Sequence, residues 1–265
     1  MRIAIIGAGS VGGTLGKAWL KRGYDVLWGI RNPADPKYAG LPKDRIKSPT
    51  EAVEAADVVV VATPWSGTEA AVKSLGGSLA NKIVIDCTNP LGIGPDGLQL
   101  VLGFETSAAE QIANWAPAAF VFKTLNTTGS DNMANAASYP IKPLMLIAGD
   151  NADKKPIVTD LVSSLGFDPV DAGPLKSARL LEPFAMVWID QAIKRGRGRD
   201  FAFALVKSNS ELRRKISRSN QKGSNRDLQA DHASSVGTIG VTIRGLWAAV
   251  PAAARLMIAA EPISR

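Results

Sequence analysis

The chain has 265 residues, 46% hydrophobic and 21% charged, an ordinary globular composition with enough apolar mass for a sizeable core. Its one cysteine, Cys87, excludes an intramolecular disulfide and a thiolate-built zinc cluster, and no run approaches the ~20 apolar residues of a membrane-spanning helix. The formal charge of +7 is uneven: residues 1–206 carry 21 basic against 20 acidic side chains and residues 207–265 carry 10 against 4, so the body needs no nucleic-acid surface.

Arg2 is followed by only four apolar residues before Gly7, too few for a secretory h-region. With the cysteine usage, this makes a reducing, cytoplasmic location the simplest expectation. From there to about residue 172, β-branched runs alternate with helical patterns. The expected strands are RIAII (2–6), DVLWGI (25–30), DVVVVAT (57–63), KIVIDCT (82–88), AFVFKTL (119–125), PLMLIAG (143–149) and, more weakly, FDPVDAG (167–173). Several are apolar at consecutive positions, as strands buried on both faces are.

Between the first two strands, Val11, Leu15, Ala18 and Trp19 share a helical stripe that Gly23 ends. SPTEAVEAA carries a capping box, with Ser48 as N-cap, Pro49 in the first turn and Glu51 closing it. SAAEQIANWA (107–116) and DKKPIVTDLVSSLG (153–166) read as helices, the latter with Pro156 in its first turn. The alternation predicts an α/β fold: a Rossmann-type, doubly wound, mostly parallel sheet with right-handed crossovers over residues 1–172, followed by a small C-terminal helical portion.

That portion, 173–206, contains LKSARLLEPFAMVWIDQAI, a long helix with a kink expected at Pro183. Beyond Pro183 it is apolar almost all round, so it is expected to be buried in its own chain or against a second copy, making a homodimer plausible. Residues 207–265 are polar and basic, then apolar again, and read as a mobile extension of unassigned fold. Any contact with nucleic acid would fall to that extension.

The motif with chemical content is IAIIGAGSVGGTLG. Gly7, Gly9 and Gly12 form G-x-G-x-x-G between a buried strand and an amphipathic helix. The first glycine allows the tight turn, the second leaves room for a pyrophosphate, and the third lets helix and strand approach. The helix start offers unpaired N–H groups to phosphate. About twenty residues on, where an acid would hold the ribose 2′-OH of NAD, stand Ile30, Arg31 and Asn32. A cation there suits a 2′-phosphate, so the pattern favours NADP(H). Lys37 or Lys43 could add attraction.

Three further loops end strands, where open α/β sheets place ligands. They are TPWS (63–66), with Thr63, Pro64 and Trp65 along the adenosine-to-nicotinamide path; TNPL (88–91), with Asn89 and Pro90; and TLNTTG (124–129), with Asn126 bordering the nicotinamide. His232, the one histidine, has no evident catalytic partner, Cys87 reads as a small buried hydrophobe, and Asp86 as a local hydrogen-bonding group. No hydrolytic or phosphoryl-transfer motif is present. A nicotinamide site without an acid–base pair suggests direct hydride transfer to a ready-made acceptor.

MRIAIIGAGSVGGTLG, GIRNP, TPW, SAAEQIA and DAGPLKSARLLEP (171–183) resemble the coenzyme F420-dependent NADP oxidoreductases over roughly residues 1–206, the last stretch being the most specific element. The resemblance implies a Rossmann domain with a small helical portion, a homodimer, and hydride transfer between NADP(H) and the deazaflavin coenzyme F420 as co-substrate. It also implies that Ser10, Val11, Arg31 and Thr63–Pro64–Trp65 contact NADP(H). The loops 88–91 and 125–127 would face the deazaflavin near Gly173–Leu175. Two alternatives stay open: an NADPH-dependent reductase of an imine, a flavin or a small carbonyl compound, and a non-catalytic NADP(H) sensor.

Overall fold

The computed structural model describes residues 1–95 and 97–208. The expectation of a mobile extension therefore lies, but for its first two residues, outside the described residues. In chain order the elements are β1 (Arg2–Ile6), α1 (Ser10–Lys21), β2 (Asp25–Gly29), β3 (Ile46–Lys47), α2 (Pro49–Glu54), β4 (Val58–Val61), α3 (Trp65–Leu75), β5 (Ile83–Asp86), β6 (Leu91–Gly94), β7 (Gly97–Leu100), α4 (Ala108–Trp115), β8 (Phe120–Lys123), α5 (Ser130–Asn135), β9 (Leu144–Gly149), α6 (Lys155–Ser164), β10 (Asp168–Gly173) and α7 (Ala178–Ile189).

Eight strands form one sheet in the order β10-β9-β8-β5-β4-β1-β2-β3, and β6 and β7 form a separate antiparallel hairpin. Neighbours from β8 to β3 run parallel. The fold is thus the mostly parallel, Rossmann-like one that the sequence predicts. β9 is antiparallel to β8, and β10 is parallel to β9, so these last two strands are reversed. Alternating strand and helix patterns carry no strand direction, and the chain re-enters β9 from the same rim at which β8 ends, without a crossover to the other.

The period of two along each strand feeds two cores, one on each face. Ile3, Ile5, Val58 and Val60 meet Leu15 and Trp19 of α1, Met133 of α5 and Leu161 of α6. Ala4, Ile6, Val59 and Val61 meet Ala52 and Val53 of α2, Val72 and Leu75 of α3, and Ile112 of α4. Two tryptophans are wholly buried yet keep their N–H groups satisfied: Trp19 donates to the Leu161 carbonyl and Trp28 to that of Gly12. Gly16 makes room for Trp28, since a Cβ there would lie 2.5 Å from its ring.

The predicted local devices are present. The Ser48 side chain accepts from the Glu51 N–H and Glu51 from the Ser48 N–H, with Pro49 in the first turn. Pro156 sits in the first turn of α6, and Gly23 follows α1 with φ +85°. Helix α7 continues through Pro183 and ends in a π-helical turn, Asp190–Lys194. Only one face of α7 is buried, by Leu181, Glu182, Ala185 and Trp188; Leu180 and Val187 are exposed.

Candidate functional site

Strand order reverses at β1, with β2 on one side and β4 on the other, and ligands bind at such a switch point beyond the carboxyl ends. A crevice of about 810 Å³ opens there. Of the residues singled out from sequence, Gly7, Gly9, Ser10, Val11, Arg31, Asn32, Thr63, Pro64, Trp65 and Asn89 line it. Gly12, Pro90 and Asn126 do not. They are buried beneath or behind the lining residues and shape the wall.

The three glycines differ in what a side chain would meet. At Gly7, φ is +97° and a Cβ would lie 2.6 Å from the Ala62 carbonyl oxygen; at Gly12 it would lie 1.8 Å from that of Gly7. These two positions are closed by the protein itself. At Gly9 a Cβ meets no atom within 4 Å, so the space kept open there belongs to the crevice. Gly9 is also the N-cap of α1 and contributes no side-chain cap. The first intrahelical bond is Gly13 N–H to the Gly9 carbonyl, which leaves the N–H groups at the start of α1 without helical partners. An open cradle over free donors at the positive end of a helix fits a pyrophosphate.

Arg31 lies just beyond β2, exposed, with no ion-pair partner among the described residues. The nearby acid is already engaged: Asp35 accepts from the Lys37 side chain at 2.6 Å and from the Lys37 N–H, which hold its carboxyl below the usual range. Lys37 therefore answers Asp35, and among the described residues lining this end Arg31 remains as a cation without an ion pair. Lys43 does not line the crevice.

The turn after β4 leads directly into α3, which the sequence reading missed. Pro64 is its N-cap and Trp65 its first residue. Thr63 and Thr68 join hydroxyl to hydroxyl at 2.8 Å, tying loop to helix. The Trp65 ring stacks on Trp115 of α4 with centroids 5.7 Å apart, forming an aromatic flank to the crevice.

The far end of the crevice is formed by Cys87, Thr88, Asn89 and Leu91. Asn89 and Asn126 clasp the loops after β5 and β8 together. Asn89 Nδ2 donates to the Asn126 carbonyl (2.9 Å), and Asn126 Nδ2 donates to Asn89 Oδ1 (3.0 Å) and to the Leu181 carbonyl (3.2 Å). Beneath them lies a cluster that sequence reasoning missed. Lys123, wholly buried, donates to Asp86 Oδ2 at 2.8 Å and to the Thr88 carbonyl, and pairs with Glu182 Oε1 at 2.8 Å. Burial works against its ammonium, but the two carboxylates outweigh that and hold its pKa above the lysine range. Burial pushes Glu182 up, opposed by Lys123. Asp86 does bond locally, to the Thr88 N–H at 2.8 Å, as expected, and also carries this ion pair.

Glu182 further accepts from the N–H groups of Ala108 and Ala109 at the start of α4, while Arg179 grips Glu110 with two bonds of 2.8 and 2.7 Å. The Arg and Glu of the most specific sequence stretch thus dock α7 onto α4 and β8. Gly173–Leu175 does not reach the crevice. Because β10 is reversed, Leu175 lies beside Phe120 and Val121 near the start of β8, at the opposite edge of the sheet. Burial and the neighbouring Asp86 raise the Cys87 thiol well above its ordinary pKa, so it is no nucleophile. Among the described residues no cluster of acids, His and Cys is arranged to hold a metal, and no helix is long and apolar enough to cross a membrane.

Fold and crevice together define a mostly parallel, Rossmann-like sheet with a crevice at its switch point. Residues 2–90, which include the glycine motif, Arg31 and the TPW turn, match the model of the family described as NADP oxidoreductase coenzyme F420-dependent. The chain is similar to rat metalloreductase STEAP3, 31% identical over 183 residues, which make up 68% of this chain and 36% of that protein. It spans about a third of that relative's length. It is also similar to the F420-dependent NADP reductase of Methanothermobacter thermautotrophicus, 25% identical over 73% of this chain and 90% of the relative. A crystal structure from Arthrobacter sp. FB24, described as a candidate F420-dependent NADP reductase, superposes with a TM-score of 0.72 at 29% identity and covers 78% of this chain and all of that one.

Proposed function

We propose that this protein transfers a hydride between NADP(H) and the deazaflavin coenzyme F420. The observation that carries the NADP(H) half is the unpaired Arg31 at one end of a crevice whose middle is the open cradle at Gly9. In this reading the N–H groups at the start of α1 bind the pyrophosphate, Arg31 binds the 2′-phosphate, and Trp65 flanks the dinucleotide. Asn89, held by Asn126, borders the nicotinamide. The deazaflavin half is supported by the family model and by the reductase from Methanothermobacter. When bound, the nicotinamide supplies the hydride chemistry; the chain binds, orients and excludes water. Mixing protein, NADPH and oxidised deazaflavin tests this: loss of the visible deazaflavin absorbance supports it, and no change at saturating NADPH refutes it.

The similarity to a metalloreductase favours a second reading, in which NADPH is kept and the acceptor differs, being an imine, a flavin, a small carbonyl compound or a metal complex. A screen of acceptors with NADPH distinguishes the two. We further propose that the exposed apolar side chains of α7, Leu180 and Val187, are covered in a homodimer. A monomeric mass in solution would refute this.

A further inference from the structure

Most of the polar network at the carboxyl ends of β5 and β8 is sealed from solvent. Lys123 has no exposed surface, Asp86 none, and Glu182 is 1% exposed. Burying one ammonium and two carboxylates is costly, and such a cluster contributes little to stability compared with apolar residues of the same volume. The cluster is therefore read for what it holds. Lys123 grips the carbonyl of Thr88, and Asp86 grips its N–H. Both sides of one peptide segment are thus fixed from below.

The next residue, Asn89, reaches the crevice and is fixed a second time by Asn126. Between Lys123 and Asn126 stands Leu125, fully buried and in the left-handed region at φ +57°. That conformation is strained for a non-glycine residue and persists only where its neighbours hold it. Asn126 Oδ1 and the hydroxyls of Thr88 and Thr124 are buried without partners among the described residues, a further cost in the same layer. The expense is concentrated under the end of the crevice remote from Arg31, and the glycine loop and Arg31 take no part in it.

We propose that Lys123 is a positioning residue for the nicotinamide end of the crevice, acting through Thr88 and the Asn89–Asn126 clasp, with Asp86 and Glu182 holding its ammonium in place. This rests on the reading of the crevice as an NADP(H) site. The adenosine half is bound independently of it. A reaction that depends on sub-ångström approach of donor and acceptor carbon is sensitive to that positioning, while affinity, carried largely by the phosphates, is not.

The test compares the wild type with Lys123→Met and with the uncharged set Lys123→Met/Asp86→Asn/Glu182→Gln. Removing the ammonium alone leaves two buried carboxylates and risks unfolding. The uncharged set avoids that and keeps amide oxygens to accept from the Thr88 and Ala108 N–H groups. Two measurements are made on each folded variant: the Kd of 2′,5′-ADP, which reports the adenosine half alone, and the fluorescence enhancement and anisotropy of the nicotinamide in bound NADPH. The expected result is a 2′,5′-ADP Kd within twofold of wild type, with the enhancement falling towards that of free NADPH. With a working acceptor, kcat should fall at least tenfold at nearly constant KM. Wild-type nicotinamide fluorescence in the uncharged set overturns the inference alone, as does a parallel loss of 2′,5′-ADP binding, which would mark a general structural role. Failure of the wild type to bind either nucleotide overturns the NADP(H) reading and this inference with it.

Discussion

Gly9→Val separates folding from binding at the glycine motif. Gly9 has φ −72° and ψ −158°, outside the left-handed region, and its missing Cβ faces empty space. The loss of N-cap preference, up to ~1 kcal/mol, is offset by ~0.4–1 kcal/mol from the reduced freedom of the unfolded chain. The melting temperature should therefore stay within about 2–4 °C of wild type. The valine side chain would occupy the cradle and push the pyrophosphate off the α1 N–H groups. Losing two charge-assisted hydrogen bonds of ~1.5–3 kcal/mol each weakens NADPH binding by roughly 10²–10⁴-fold. Calorimetric titration and a thermal melt measure both quantities. A stable variant that binds NADPH within tenfold of wild type would refute the phosphate assignment. Gly12→Ala is the contrast: its Cβ would lie 1.8 Å from the Gly7 carbonyl oxygen, so that variant should lose the fold as well as the ligand.

Arg31→Glu should weaken NADPH binding by about 10–100-fold, the worth of a charge-assisted contact, and leave NADH binding nearly unchanged or improved; equal losses would contradict its role. Cys87 should react slowly with a thiol reagent at pH 8 in the native protein and readily on denaturation, because burial keeps it protonated. Glu110 is held below the ordinary carboxylate range chiefly by Arg179, so the folded state binds its proton less readily than the unfolded state does. Its contribution is complete above the unfolded pKa of about 4.3 and is lost as pH falls through the lower folded value. Glu110→Gln should accordingly melt earlier than wild type at pH 7, with the gap closing at acid pH.

The strands were legible because a two-sided sheet demands continuous β-branched runs, and VVVV at 58–61 allows no other reading. Helix α3 was not, because WSGTEAAVKSL buries only Thr68, Val72 and Leu75 and mixes in residues of weak helix propensity. The two-residue β3 and the β6–β7 hairpin are too short and too glycine-rich to announce themselves. At the site, the glycine motif and Arg31 could be read locally because their spacing is set by one βαβ unit. The Lys123 cluster could not. In AFVFKTL a lysine reads as the polar end of a strand, and its partners Asp86 and Glu182 come from β5 and α7. The one available signal was the glutamate within the apolar LLEPFAM, a charge where the helix pattern calls for a hydrophobe.

The reversal of β9 and β10 gives the sheet two rims with separate tasks. The loops after β1, β2, β4, β5 and β8 open on one rim, whereas those after β9 and β10, around Asp150 and Gly173, open on the other. An insertion, affinity tag or surface-immobilisation point at residues 151–154 would thus sit at the opposite rim of the sheet from the crevice. A label there stands on the rim that the crevice does not use.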